Sequence, residues 1–185
     1  RIMAIYRHSA LALPSADQTK ISSIMFTPTL VKRVISRING KAKGGPDDIP
    51  PVFFKHCSNE LASPLAFLFN KCMENNYIPP VWLRAYITPI YKKGVTTDPQ
   101  NYRPIAFTCT MCKIMETIIK DQLIDFLLLK NLISKHQHGF MRKRSTTSNL
   151  LECTHDWIFG LGRSNNIDVV YINFCKAFDS IVFSK

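Results

Sequence analysis

The residues whose types and spacing could do chemistry crowd the end of the chain, in Ile167-Asp-Val-Val-Tyr-Ile-Asn-Phe-Cys-Lys-Ala-Phe-Asp-Ser-Ile-Val182. Ile167 to Phe174 is an apolar, β-branched run behind a polar Arg163-Ser-Asn-Asn166 loop, which predicts a buried central strand. From Cys175 to Val182 the apolar residues change to helical spacing. A strand that ends in a short polar residue and turns straight into a helix suits a metal ligand. Two-metal nucleotidyl transfer needs carboxylates at such a strand end. Asn173 occupies that position and carries no charge. On pattern alone the stretch equally fits an ordinary buried strand with a helix behind it.

Two further clusters are cationic. Lys92-Lys93-Gly94 ends a predicted strand, and Asn101-Tyr-Arg-Pro-Ile105 sets Arg103 opposite, fixed by the proline after it. A planar guanidinium fork with two point charges could clamp a triphosphate; the same residues also fit a solvated basic hairpin. Arg142-Lys143-Arg144, between Phe140 and a helix N-cap at Ser145, suits contact with a phosphate backbone, or is a charged loop. Cys109-x-x-Cys112, Cys153-x-His155 and His136-x-His138 contain zinc-ligand types, yet no second close pair frames a finger, and no metal site is expected from them. Asp47-Asp48 lies in a Gly-Pro/Ile-Pro turn, and nothing resembles a nucleophile elbow.

The elements that must position these groups are helix-rich. Thr27 is a plausible N-cap with Pro28 at the first helical position, and Leu30, Val31, Val34, Ile35 and Ile38 form one face before Gly40. Lys41 to Pro51 reads as a rigid basic turn. Helices are predicted over Pro51–Cys57 and Glu60–Asn75, the second with Pro64 in about its first turn. Arg84–Tyr91 reads as a strand, an edge one because of Pro89, followed by a polar loop and a short strand over Tyr102–Phe107. Thr110–Leu129 is the longest helix, with Ile114, Ile118 and Leu123 on one stripe. Ser145 caps a last helix to about Leu161.

Across 185 residues the formal charge is +11, which favours a polyanionic partner, nucleic acid above all. No apolar run approaches the roughly 18 residues a membrane span needs, so no membrane partner is expected. With 46% hydrophobic and 11% aromatic residues a core can form. The six scattered cysteines suggest a reducing compartment. No signal peptide is visible, and the chain reads as a piece of something longer.

In order along the chain, Lys43-Gly-Gly-Pro-Asp-Asp-Ile-Pro50, Leu65-Ala-Phe-Leu-Phe-Asn70, Trp82-Leu-Arg-Ala-Tyr-Ile-Thr-Pro-Ile-Tyr-Lys-Lys-Gly94, Asn101-Tyr-Arg-Pro-Ile105, Cys112-Lys-Ile-Met-Glu116, Gln137-His-Gly-Phe140, Arg144-Ser-Thr146 and Tyr171-Ile-Asn-Phe-Cys-Lys-Ala-Phe-Asp179 resemble the reverse transcriptases of non-LTR (LINE-like) retrotransposons. Each motif alone is weak; the series, from about residue 28 onward, is specific. The resemblance implies an α+β, helix-rich partial right-hand polymerase. Residues 1–26 would be a linker after an upstream endonuclease, 27–165 the fingers, and 166–185 the start of the palm.

In that family position 173 is the first catalytic aspartate, holding both Mg²⁺ ions, and Phe178 matches the aromatic gate under the incoming sugar. Lys92, Lys93 and Arg103 match residues that hold the dNTP triphosphate. Arg142, Lys143 and Arg144 would lie along RNA template or DNA primer. The implied location is intracellular, in nucleus and cytoplasm.

Two substitutions depart from the family. Asn173 replaces the aspartate, and Asp48 stands where glycine is usual. The family's Phe/Tyr-x-Asp-Asp motif is not reached within 185 residues. The expectation is therefore an inactive polymerase fragment that binds Mg²⁺ weakly. Its rival is a non-catalytic basic RNA- or DNA-binding module. Lacking partner strands, the palm strand would leave unpaired edges and a poorly soluble chain.

Overall fold

A computed structural model describes residues 20–21, 23–163 and 166–174. They fall into two compact units, one of Ala16–Lys130 and one whose described part starts at Asn131.

In the first unit, helix α1 runs Pro28–Ser36. Thr27 starts it, its hydroxyl accepting from Leu30 N–H at 3.3 Å, with the pre-set φ of Pro28 in the first turn. Val31, Val34 and Ile35 recur at helical spacing and are buried against α3 (Ser58–Glu74) and α4 (Thr110–Leu129); short α2 (Pro51–His56) leads into α3. Phe26, Phe69 and Trp82 stack edgewise through the core, with ring centroids 5.5 and 6.0 Å apart. Pro64 lies deeper in α3 than its first turn. The acceptor it leaves without an N–H, the Glu60 carbonyl, belongs to an exposed residue that water can reach. Leu123 is 41% exposed, contrary to the predicted stripe. Steps of three and four from Ile118 reach Asp121 and Gln122, and these continue the inward face of α4.

Core packing begins before α1. Asn70 accepts from Phe26 N–H at 3.2 Å and donates to its carbonyl at 2.9 Å. Gln122 treats Met25 the same way, at 3.0 and 2.8 Å. The two side-chain amides stand in for a neighbouring strand and fasten the entering backbone to α3 and α4. The basic turn packs closely on the start of α4. A Cβ on Gly45 would come within 2.4 Å of Cys109 N, so only glycine permits that approach.

Strands β1 (Tyr86–Tyr91) and β2 (Tyr102–Phe107) form a two-stranded antiparallel ribbon, so Pro89 does lie on an edge strand. Ile90 pairs with Arg103 and Pro89 with Pro104. Lys92 N–H donates to the Asn101 carbonyl at 2.7 Å, one step beyond the last pair. Bonded pairs alternate, so the two prolines fall where no ladder bond is required.

In the second unit α5 spans Thr146–Gly162 from a reciprocal cap, Ser145 and Ser148 each accepting the other's N–H at 2.9–3.0 Å. The run Ile167–Phe174 does not form the predicted buried strand. Tyr171 makes a single bridge, and Val170 and Phe174 are 67% and 72% exposed. A strand is held by the backbone beside it, and among the described residues no ladder flanks this run. The helix predicted after Cys175 lies outside the described residues.

Candidate nucleic-acid interface

Side chains alternate across a strand, which places Lys92, Ile90 and Thr88 on one side of the ribbon with their partners Asn101, Arg103 and Ile105. Lys92 and Arg103 are therefore diagonal neighbours on that side, at the spacing where long side chains converge on one ligand, roughly 7–8 Å. Lys93 is the next residue, in the turn. All three are exposed, and no carboxylate pairs with them among the described residues. The turn they flank is built rather than slack. Tyr91 Oη donates to the Gly94 carbonyl at 2.5 Å, Tyr102 Oη to Thr96 at 2.8 Å, and Asn101 Nδ2 to Val95 at 2.9 Å. Gly94, at φ +101°, has a conformation and a closeness to Asn101 that a side chain would not permit. The turn's carboxylate, Asp98, is engaged by Gln100 N–H at 2.9 Å. Tyr86, Tyr91 and Ile90 are about half exposed on the same ribbon.

In the second unit Arg142, Lys143 and Arg144 are exposed in the loop before α5, where Phe140 and Lys143 take left-handed φ of 62° and 60°. Arg144 is already engaged. Its Nη1 lies 3.7 Å from Glu152 Oε2 and 3.1 Å from His138 Nε2. Glu152 is the centre of this cluster. One carboxylate oxygen meets His136 Nδ1, and the other meets His138 Nε2 at 2.6 Å. An ionised carboxylate only accepts, so each imidazole turns an N–H toward it, which sets the two tautomers. His138, 7% exposed, places its Nδ1 2.8 Å from Ser148 Oγ, tying the loop to the α5 cap. The bonds from His136 and then His138 hold the Glu152 carboxyl below its ordinary value.

The sequence reading saw His136 and His138 only as zinc-ligand types and missed Glu152. The available signal was the spacing Ser145, Ser148, Glu152 along one side of α5.

Asn173 is exposed, and Phe178 and Asp179 lie outside the described residues. No group of three His, Cys, Asp or Glu side chains among the described residues is arranged to hold a cation. An exposed amide with no carboxylate beside it is a poor donor set for Mg²⁺. Cys109 and Cys112 are buried thiols. Burial pushes both up, Cys112 to about 12 with help from its contact to Glu116, so neither is a ready thiolate. No described helix is long and apolar enough to cross a membrane.

No family model matches the chain. Among curated proteins it is similar to the probable RNA-directed DNA polymerase from transposon BS of Drosophila melanogaster, 24% identical over 91% of this chain. It is also 26% identical to the RNA-directed DNA polymerase from mobile element jockey and 23% identical to the probable one from transposon X-element of the same fly, each over 91% of this chain. The chain spans 19% of the length of each of these three. The likeness to non-LTR reverse transcriptases read from the order of the motifs is thereby borne out.

Proposed function

We propose that this chain is the fingers, with the start of the palm, of a non-LTR retrotransposon RNA-directed DNA polymerase, and that it does not polymerise by itself. The similarity to three such polymerases over nine-tenths of the chain carries the reading. In it, Lys92 and Arg103 hold the triphosphate of a dNTP from one side of the ribbon, with Lys93 beside them. Arg142 and Lys143 follow the backbone of RNA template or DNA primer, and Arg144 braces their loop through Glu152. Mg²⁺ belongs to the intact family. With Asn173 in the aspartate position, loss of one bridging carboxylate lowers the rate by roughly several powers of ten. Primer extension on the purified chain with Mg²⁺ or Mn²⁺ tests this: no template-directed product is expected, and clear synthesis would overturn the inactive reading.

A second reading, a non-catalytic RNA- or DNA-binding module, is favoured by the unpaired cations beside half-exposed Tyr86 and Tyr91, a surface that can take phosphates and stack bases. It expects sequence-blind, salt-sensitive RNA binding in the absence of any synthesis. No binding at low salt would sink it.

A further inference from the structure

A cavity of about 180 Å³ opens along the first two turns of α4. Ile38, Pro51 and Ile114 give it an apolar floor, and Thr110, Lys113 and Asn39 add polar groups. Its volume is comparable to the roughly 150 Å³ that takes a single benzene ring. Thr110 is 2% exposed, and its Oγ1 has no hydrogen-bond partner among the described residues. A buried hydroxyl left unpaired is costly, and native structures keep few of them without a use.

Three features give the cavity a sign. No carboxylate lines it. Helix α4, 20 residues long, starts with no side-chain cap and no acidic residue in its first turn, so its positive end is uncompensated there. Asn39 Oδ1 already accepts from Lys41 N–H at 3.0 Å, which leaves its amide N–H₂ as the group on offer. Lys113 adds a cation that rests 5.6 Å from the Phe107 ring centroid.

We propose that this cavity binds a small organic anion: a phosphate-sized head at Thr110, Lys113 and Asn39, on an apolar body no larger than one ring seated against Ile38 and Ile114. The site is separate from the ribbon and from any polymerase role, so its test stands whether or not that role holds.

Isothermal titration of the 185-residue chain with phenyl phosphate, inorganic phosphate and phenol tests it. Phenyl phosphate is expected to bind at least tenfold more tightly than either part alone. Thr110→Val and Lys113→Met are each expected to weaken it about tenfold. Thr110→Val is also expected to raise the melting temperature, because it removes the unpaired hydroxyl; this shows that the variant folds. Absence of phenyl phosphate binding overturns the proposal. So does equal binding of inorganic phosphate, and so does binding indifferent to both substitutions.

Discussion

Asn70 and Phe26 are joined twice: the one side-chain amide accepts from the backbone N–H of the other and donates to its carbonyl, across 44 positions of chain. Phe26 is 2% exposed and stacks on Phe69, the residue before Asn70. The apolar contact and the polar contact therefore fix the same segment from the same turn of α3.

Replacing Asn70 by Ala removes both bonds and leaves a backbone donor and acceptor at the edge of the core. A loss of about 2–3 kcal/mol is expected, read as a lower urea midpoint with an unchanged slope. Asn70→Asp keeps the acceptor alone and should fall between the two. A midpoint within error of the parent for Asn70→Ala would show that water replaces the amide at no cost.

The Glu152 cluster makes acid stability specific to the second unit. Its carboxyl is lowered from the ordinary 4.5, so the unfolded chain takes up the proton first. The stability it contributes is fully present above that value and is lost as pH falls through the lower, folded value. Glu152→Gln should therefore cost about 2 kcal/mol near neutral pH. That difference should close by about pH 3. Thermal melts of both forms across this range check it; a gap that persists in acid would place the effect in packing.

Asp48 sits at φ 54°, the left-handed region, in the turn where the related polymerases usually carry glycine. Asp48→Gly should stabilise the fold by up to about 1 kcal/mol, since glycine takes this conformation without a Cβ clash. Chemical denaturation of the pair decides it, and a lower midpoint for the glycine form would show that the aspartate makes a compensating contact.

For the ribbon, Lys92→Ala and Arg103→Ala should each weaken RNA binding and lower the slope of log affinity against log salt by roughly 0.7. As diagonal neighbours on one phosphate group, the two should lose less together than the sum of their separate losses. Filter binding at several salt concentrations measures both. Strict additivity would mean that they contact different phosphates.

The parts of this fold that were legible in the sequence are those set by local chemistry. Thr27-Pro28 and Ser145 announce their helices because a cap is satisfied within three residues, and Pro89 marks its strand as an edge because proline has no N–H to give. What was not legible depends on distant partners. Asn70 and Gln122 look like ordinary helix-surface amides until the backbone of Met25 and Phe26 arrives. Glu152 looks like one more charged residue until the loop folds His136 and His138 back onto it. The run at Ile167–Phe174 shows the limit most plainly. Its apolar composition speaks of the neighbours it would pack against, and a composition cannot report whether those neighbours are present. The candidate site divides the same way: the cations were identifiable by type, while the shared side of Lys92 and Arg103 needed the register.

The facing prolines of the ribbon have a consequence for how this chain meets copies of itself. The residues whose backbone groups point outward on β1 are 87, 89 and 91, and those on β2 are 102, 104 and 106; the middle one on each rim is proline. An incoming strand would find its central donor missing on whichever rim it approached. The most exposed β-structure in the molecule thus resists being extended into a larger sheet. It can offer its broad sides to another molecule while its rims stay closed to strand-by-strand growth.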